Sequence, residues 1–183
     1  MATAARWALG AAGALSANVS LYPQMPFDPV KDFKPVTRVA AIPFVFVGHP
    51  SVGARTQAEL ISLARRDPAK LSIGHGGNGT AMHLTAPLFD QMADVPTVAE
   101  AGLTGCESVG WFGIVAPAST PDAIVNRLNA AIVGALNDPA IRATIRNLGV
   151  EPAPSTPQGF GDYIRSETVK WGQVIRNAGI RIE

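Results

Sequence analysis

Apolar residues along the chain fall into short runs typical of strands and longer periodic segments typical of helices. Residues 36–41 and 44–47 are β-branched and aromatic runs bounded by prolines and by Gly48, so both predict strands. The second run is almost wholly apolar, which is the pattern of a strand buried on both faces. Because such a sheet must be covered by helices, the pattern predicts an α/β fold.

A capped amphipathic helix is predicted after the second strand. Thr56 precedes Glu59 by three residues, which is the spacing of a capping box. Leu60, Ile61 and Leu63 then recur at helical spacing before an Asp-Pro pair ends the segment.

The next unit combines a short strand at 70–73, a glycine-rich loop at 74–79 and a helix at 80–92. Glycines let the backbone approach a ligand closely, and the first N–H groups of a helix lack intrahelical partners and carry partial positive charge. The unit therefore predicts an anion-binding site. The loop has neither the lysine of a P-loop nor the spacing of a dinucleotide fingerprint, so a purely structural turn stays open as an alternative.

The C-terminal half predicts one strand and three helices. Residues 108–116 form the strongest strand pattern in the chain. A helix is expected after Thr120, its N-cap, with Pro121 just inside, and a second begins at Asp138. The inward face of the last helix is predicted to carry Phe160, Ile164, Trp171, Val174 and Ile175.

Composition argues against several classes of partner. With 15 Lys and Arg against 14 Asp and Glu, there is no one-signed field to hold a nucleic acid. Cys106 is the single cysteine, which excludes an intrachain disulfide, and it is predicted to be a small buried residue. No apolar run approaches the roughly eighteen residues of a membrane span, so direct membrane insertion is not expected.

Neither catalysis nor metal binding is predicted. His75 and His83 lie on either side of a helix start rather than four residues apart on one face, and no carboxylate cluster joins them or His49. Paired carboxylates and a Gly-x-Ser-x-Gly elbow are missing, so no enzyme activity and no cofactor are expected. The rival interpretation is an enzyme that uses the 74–79 loop for a nucleotide phosphate.

The first residues admit two interpretations. A charged start followed by the short apolar run at 7–14 has the pattern of a secretory signal. A buried strand that runs into a Gly/Ala loop would have the same composition.

Several segments together resemble one family. SLY at 20–22 is followed by PFDPVKDF at 26–33, and KLSIG at 70–74 by GNGT at 77–80 and HL at 83–84. Further on stand DVPTVAEAG at 94–102, WFGIVAP at 111–117, and KW at 170–171 before AGI at 178–180. From about Leu9 onward the chain resembles the substrate receptors of tripartite tricarboxylate transporters, also known as Bug proteins.

That resemblance implies a periplasmic protein that closes over a small organic anion such as a carboxylate and delivers it to membrane transporter subunits. It implies an α/β fold of periplasmic-binding-protein type II, incomplete and with two unequal lobes. Residues 1–47 with 106–183 would form the larger lobe, and residues 48–105 a reduced second lobe.

The resemblance also implies two losses. Residues 9–18 resemble a strand and loop of the mature family sequence, so the strand interpretation of the N-terminal region is preferred to the signal. The chain would then begin after the family's first strand, loop and helix. A long stretch would also be missing between Met92 and Asp94.

The residues expected to contact the ligand lie in two segments. They are Ala12 and Gly13 after the first strand, and His75, Gly76, Gly77, Asn78, Gly79 and Thr80 in the glycine-rich loop. The N–H groups of the last three are expected to form the first turn of a helix and to point at the cleft.

Some positions depart from the family pattern. The family often has hydroxyl side chains where this chain has Ala11 and Ala14, and usually a serine where it has His75. Its first glycine-rich loop and a later tyrosine-containing loop have no counterpart. A remnant of the fold that binds nothing is therefore the other alternative.

Overall fold

The computed structural model describes residues 6–45, 47–67, 70–85, 109–177 and 179–180. Its strands are β1 (Ala8–Ala11), β2 (Phe33–Pro43), β3 (Val109–Pro117) and β4 (Glu151–Pro152). A π-helix (Gly13–Ala17) leads into helix α1 (Asn18–Leu21), and a 3-10 turn (Pro50–Val52) precedes α2 (Gln57–Arg66). Helices α3 (Asp122–Asn137), α4 (Pro139–Asn147) and α5 (Pro157–Asn177) follow β3, and residues 81–85 are also helical.

The sheet is four-stranded in the order β1-β3-β2-β4, and each of these neighbouring pairs is antiparallel. In β1, Ala8 lies opposite Val115 and Ala11 opposite Phe112. Residues 8–11 are thus part of the central sheet, which confirms the strand interpretation of this segment. The predicted strands at 36–41 and 108–116 are confirmed within β2 and β3.

Successive side chains of β3 point to opposite faces of the sheet, so both faces carry apolar residues. Helices cover both faces. On one face, Trp111 and Val115 pack with Phe160 of α5 and with Leu15. Trp111 and Phe160 meet edge to face with ring centroids 5.5 Å apart. On the other face, buried side chains of β2, β3 and α3 form a separate cluster, namely Val36, Ala116 and Val125.

Helix α5 is tied to the sheet by a buried carboxylate. Glu167 is 5% exposed, and its Oε2 accepts hydrogen bonds from the indole N–H of Trp171 at 3.0 Å and of Trp111 at 3.4 Å. Lys170 lies 2.5 Å from the other carboxylate oxygen. A buried charge needs such partners, and here they come from both β3 and α5.

Two predicted strands are wrong. The ladder of β2 ends where Pro43 lies opposite Val109, and neither Phe44 nor Val45 belongs to a strand. Val45 and Val47 are 79% and 91% exposed, so this run is not buried. Residues 71–73 are likewise outside any strand. In both segments the local composition favours extended chain, but the described residues supply no neighbouring strand to pair with.

The helix predictions agree better with the structure. α2 begins after Thr56 with the full capping box, and Asp138 caps α4 by accepting the N–H groups of Ala140 and Ile141. The predicted inward face of α5 is buried throughout. The N-cap of α3 is Pro121 rather than Thr120, because Pro121 is still extended at ψ 141° and its carbonyl accepts the first helical N–H groups.

The predicted helix at 80–92 is helical at residues 81–85, and its remainder lies outside the described residues. Cys106 and the segment 94–105 also lie outside them. Among the described helices, none has the length and apolar character to cross a bilayer.

Candidate functional site

The first half of the candidate site is the junction of β1 with a helix. The chain turns from Ala11 directly into helical conformation at Ala12, and the π-turn and α1 continue it to Leu21. Ser16 stabilises the junction through a hydrogen bond that its hydroxyl donates to the Ala12 carbonyl at 2.5 Å. Ala12 and Gly13 are both buried. Since the first N–H groups of a helix lack intrahelical acceptors, this junction has a partial positive charge.

The second half is the glycine-rich loop. Residues 74–78 are exposed, whereas Gly79 is buried. Gly77 and Gly79 have φ of 115° and 75°, values that favour glycine. Thr80 closes the turn by donating from both its N–H and its hydroxyl to the Gly77 carbonyl, at 3.3 and 2.7 Å.

The two halves meet at Gly13 and Gly79. A Cβ placed on Gly13 would overlap the Gly79 carbonyl oxygen. A Cβ placed on Gly79 would lie 2.7 Å from Asn18 Oδ1 and 3.2 Å from the Tyr22 ring and hydroxyl. The two segments predicted to contact a ligand are therefore adjacent, and both need glycine where they touch.

Asn18 and Tyr22 were missed by the sequence predictions. Asn18 begins α1 and Tyr22 is the residue that ends it, and this spacing of four is the signal that could have placed them together. Asn18 Oδ1 is buried and has no hydrogen-bond partner among the described atoms. A buried acceptor in that state costs about 1–3 kcal/mol, so it is an energetically expensive feature of this junction.

Two histidine rings accept hydrogen bonds from backbone N–H groups of the loop. His75 Nδ1 accepts the Gly77 N–H and His83 Nδ1 accepts the Gly79 N–H, each at 3.3 Å. Their ring centroids are 4.7 Å apart. A neutral imidazole that accepts at Nδ1 carries its proton at Nε2, so each neutral ring offers an Nε2–H donor.

Burial lowers the pKa of His83 below its ordinary value of 6.5, and the charge of His75 lowers it further. Both causes favour the neutral ring, which is the form able to accept the Gly79 N–H.

The prediction that the N–H groups of Gly79 and Thr80 belong to the first turn of a helix and point at the cleft is wrong. Helical conformation begins at 81, so these residues precede the first helical turn. The Gly79 N–H is held by His83, and the Thr80 N–H is held by the Gly77 carbonyl. The reason is the left-handed conformation of Gly79, which turns the chain before the helix starts.

A cavity of about 660 Å³ lies beside Tyr22, between α1 and the end of α5. Ser20, Tyr22 and Arg176 contribute polar groups to its wall, and Ile175 and Ile180 contribute apolar ones. Within the described parts of the chain, no three His, Cys, Asp or Glu side chains gather as they would around a metal ion.

Several solved structures have folds similar to that of this chain. Rpa4515 of R. palustris, solved with adipate, superposes with a TM-score of 0.83 at 26% identity, covering 96% of this chain and 78% of that one. Periplasmic binding protein BugD gives a TM-score of 0.77 at 19% identity, covering 97% and 79%. MatC from Rhodopseudomonas palustris, solved with bound malate, gives 0.70 at 22% identity, covering 92% and 78%. The chain thus has an incomplete α/β fold of the periplasmic-binding-protein class.

The family described as "Tripartite tricarboxylate transporter family receptor" matches residues 8–93 and 89–180. The chain therefore belongs to this family of solute receptors. The two matches overlap at residues 89–93.

Curated relatives show the same relationship. The "UPF0065 protein in tcbD-tcbE intergenic region" of Pseudomonas sp. (strain P51) is 28% identical over 213 aligned positions, covering 84% of this chain and 63% of that protein. Protein BugT of Bordetella pertussis is 22% identical, covering 92% and 70%. This chain has 183 residues, so the longer alignment with the first relative includes positions with no counterpart here. The chain spans less than two thirds of that relative's length.

Proposed function

We propose that this protein is a periplasmic solute-binding protein that captures a small carboxylate for the membrane subunits of a tripartite tricarboxylate transporter, and that it is not an enzyme. The family match carries the proposal, and one superposition supports it. The chain belongs to the receptor family, and it superposes over 96% of its length on a relative solved with adipate.

The proposed binding residues are those of the two adjacent segments: Ala12, Gly13, His75, Gly76, Gly77, Asn78, Gly79 and Thr80. The helix that starts at Ala12 would contribute about 0.3–1 kcal/mol to binding a carboxylate through its dipole. Each charge-assisted hydrogen bond, for example from a histidine Nε2–H, would add about 1.5–3 kcal/mol. Solvent reaches the exposed loop, so we expect dissociation constants weaker than about 1 μM.

We also propose the division into two unequal lobes, 1–47 with 106–183 and 48–105. The smaller unit has few large apolar side chains, and a unit of this size buries a low fraction of its surface. We therefore expect faster amide exchange in the described residues of 48–85 than in 121–177. Equal protection of the two regions in hydrogen-exchange mass spectrometry would contradict this division.

The ligand class is tested first by thermal shift against dicarboxylates, tricarboxylates, amino acids and nucleotides. Adipate and malate are the first dicarboxylates to use, and calorimetry then measures their affinities. Stabilisation by nucleotides alone would support the rival enzyme. No stabilisation by any of these compounds would support a remnant that binds nothing.

The site is tested with Gly76→Asp, which adds a negative charge to the loop. The space at Gly76 is limited by the flexible end of Met82, at 3.1 Å, and the position has no left-handed φ. Gly79→Asp would be a poorer choice because it would also strain the packed junction. The matched control is Gly134→Asp on α3, where nothing lies within 4 Å of the added Cβ.

We expect Gly76→Asp to weaken adipate binding at least about tenfold, since like charges would approach in a partly exposed site. The control should bind as the parent does. If both variants bind equally well, the site lies elsewhere, and Arg176→Gln then tests the cavity beside Tyr22.

A further inference from the structure

Thr80 and His83 form a capping arrangement at the start of the helical segment 81–85. The Thr80 hydroxyl accepts the His83 N–H at 3.2 Å, and the His83 ring accepts the Gly79 N–H in return. The same reciprocal pattern occurs at α2, where the Thr56 hydroxyl accepts the Glu59 N–H and the Glu59 carboxylate accepts backbone N–H groups. His83 thus occupies the position that glutamate occupies in a capping box.

The two capping side chains respond differently to protons. A carboxylate accepts hydrogen bonds at any pH near neutrality. An imidazole accepts at Nδ1 only while neutral, because both of its nitrogens are donors once it is protonated. Protonation of His83 must therefore break its hydrogen bond with the Gly79 N–H.

That N–H group lies within the site proposed above. While His83 is neutral, the hydrogen bond to its ring keeps the Gly79 N–H from binding a ligand. When His83 is protonated, the N–H is released and a positive charge appears beside it. Both changes favour a carboxylate, so they act in the same direction.

We propose that His83 is a proton-operated latch on the carboxylate site, closed over Gly79 when neutral and open when protonated, so that the receptor binds its ligand more tightly at acidic pH. The binding part of this inference rests on the proposed function. The latch itself is a property of the free protein and can be tested alone.

The surroundings of His83 support this assignment. His75 is the titratable group that faces it from the same segment. Segment 12–22 faces Gly79 with the amide of Asn18 and the phenol of Tyr22. α5 meets the adjacent Leu84 in a cluster with Trp171 and Ile175, which carry no charge. Among the described neighbours, His75 is thus the one whose charge changes the pKa of His83.

The latch is tested by NMR titration of the free protein. We expect the Gly79 amide resonance to shift with the same midpoint as the His83 ring, and the ring nitrogens to report the Nε2–H tautomer at high pH. In His83→Gln, which keeps a non-titrating capping side chain, the Gly79 resonance should stay constant. In His75→Ser the midpoint should rise, because one cause of the lowered pKa of His83 is removed.

Ligand linkage is tested by calorimetry with adipate at about pH 7, in two buffers of different ionisation enthalpy. Binding to the parent protein should take up a fraction of a proton, and binding to His83→Gln should take up none. Between the alkaline and acidic limits the affinity of the parent should rise about tenfold, which corresponds to a shift of one unit in the pKa of His83 on binding.

The outcomes separate the two proposals. If the Gly79 resonance does not change as His83 titrates, the latch is disproved, whether or not a ligand binds. Binding without proton uptake, or with equal uptake by His83→Gln, overturns its coupling to the ligand. If adipate fails to bind at any pH while the Gly79 resonance follows His83, the assigned ligand is wrong and the latch stands.

Discussion

The helix starts at Thr56 and at Thr80 share a reciprocal hydrogen-bond pattern and differ in the side chain that accepts the backbone N–H groups. At Thr56, the partner is Glu59, whose carboxylate accepts the N–H groups of Arg55 and Thr56 at 2.6 and 3.2 Å. At Thr80, the partner is His83, which accepts from Gly79. The first cap is exposed, whereas the second is packed against helix 12–21 through Gly79. On the inference drawn above, one local motif serves as a permanent cap at Glu59 and as a pH-dependent cap at His83.

The largest expected effect comes from the packing difference between the two regions. Gly53 and Gly79 both have φ of 75°, but a Cβ on Gly53 meets nothing within 4 Å. Gly53→Ala should therefore cost only the backbone strain, about 1–2 kcal/mol. Gly79→Ala should cost about 1–3 kcal/mol more, because the methyl group collides with Asn18 and Tyr22. Denaturant unfolding measures both, and equal losses would show that Gly79 is not packed as described.

The next effect comes from making the second cap a copy of the first. His83→Glu should hold the Gly79 N–H throughout the neutral range and add a negative charge beside the proposed site. We expect adipate affinity to fall at least about tenfold. Glu59→Gln is the control, since it removes a charge from the first cap and should leave affinity unchanged. Calorimetry that finds parent-like binding by His83→Glu would remove His83 from the neighbourhood of the ligand.

A smaller effect concerns the hydroxyl half of each cap. Thr56→Ala and Thr80→Ala should each cost about 1 kcal/mol, because each leaves a helix N–H without its acceptor. Amide exchange of the Glu59 and His83 N–H groups reports the loss locally. Slow exchange that survives in either variant would mean that the hydroxyl is not the acceptor.

The smallest expected effect is the pH dependence of stability. The pKa of His83 is lowered in the folded protein, so the neutral ring stabilises the fold at pH above its unfolded value of 6.5. This contribution should be lost as the pH falls through the folded pKa. In His83→Gln that part of the acid dependence should vanish, as seen by thermal unfolding across the range from about pH 5 to about pH 8. An unchanged acid dependence would assign it to other groups.

Local features of the fold could be predicted from the sequence. The Thr56 cap and the buried stripe of α5 depend on residues a few positions apart, and both were predicted correctly. The strand predicted at 44–47 was wrong because a strand also needs a partner in space, which a short window of sequence does not contain. Of the two segments of the proposed site, the glycine-rich loop was predicted from its composition, and Ala12 and Gly13 were added by the family resemblance.

The His83 cap illustrates an available signal that was missed. Thr80 and His83 have the same spacing as Thr56 and Glu59, but histidine is not one of the usual capping-box residues. The contact of Gly13 with Gly79 could not be inferred from either segment alone. It depends on how β1 and the helix that follows it pack, and the sequence shows only that glycine is present at both positions.

The buried Glu167 has a consequence for how the chain reaches its native state. Its indole partners belong to β3 and α5, and α5 also packs against helix 12–21 near the start of the chain. This core is therefore built from contacts between residues far apart in sequence, which form slowly because a long loop must close first. During synthesis, the sheet face and the helix 12–21 that pack on α5 stay uncovered until α5 has been made, whereas α3 covers the opposite face of the sheet earlier. That part of the core would consequently stay open, and accessible to chaperones, until translation had passed residue 177.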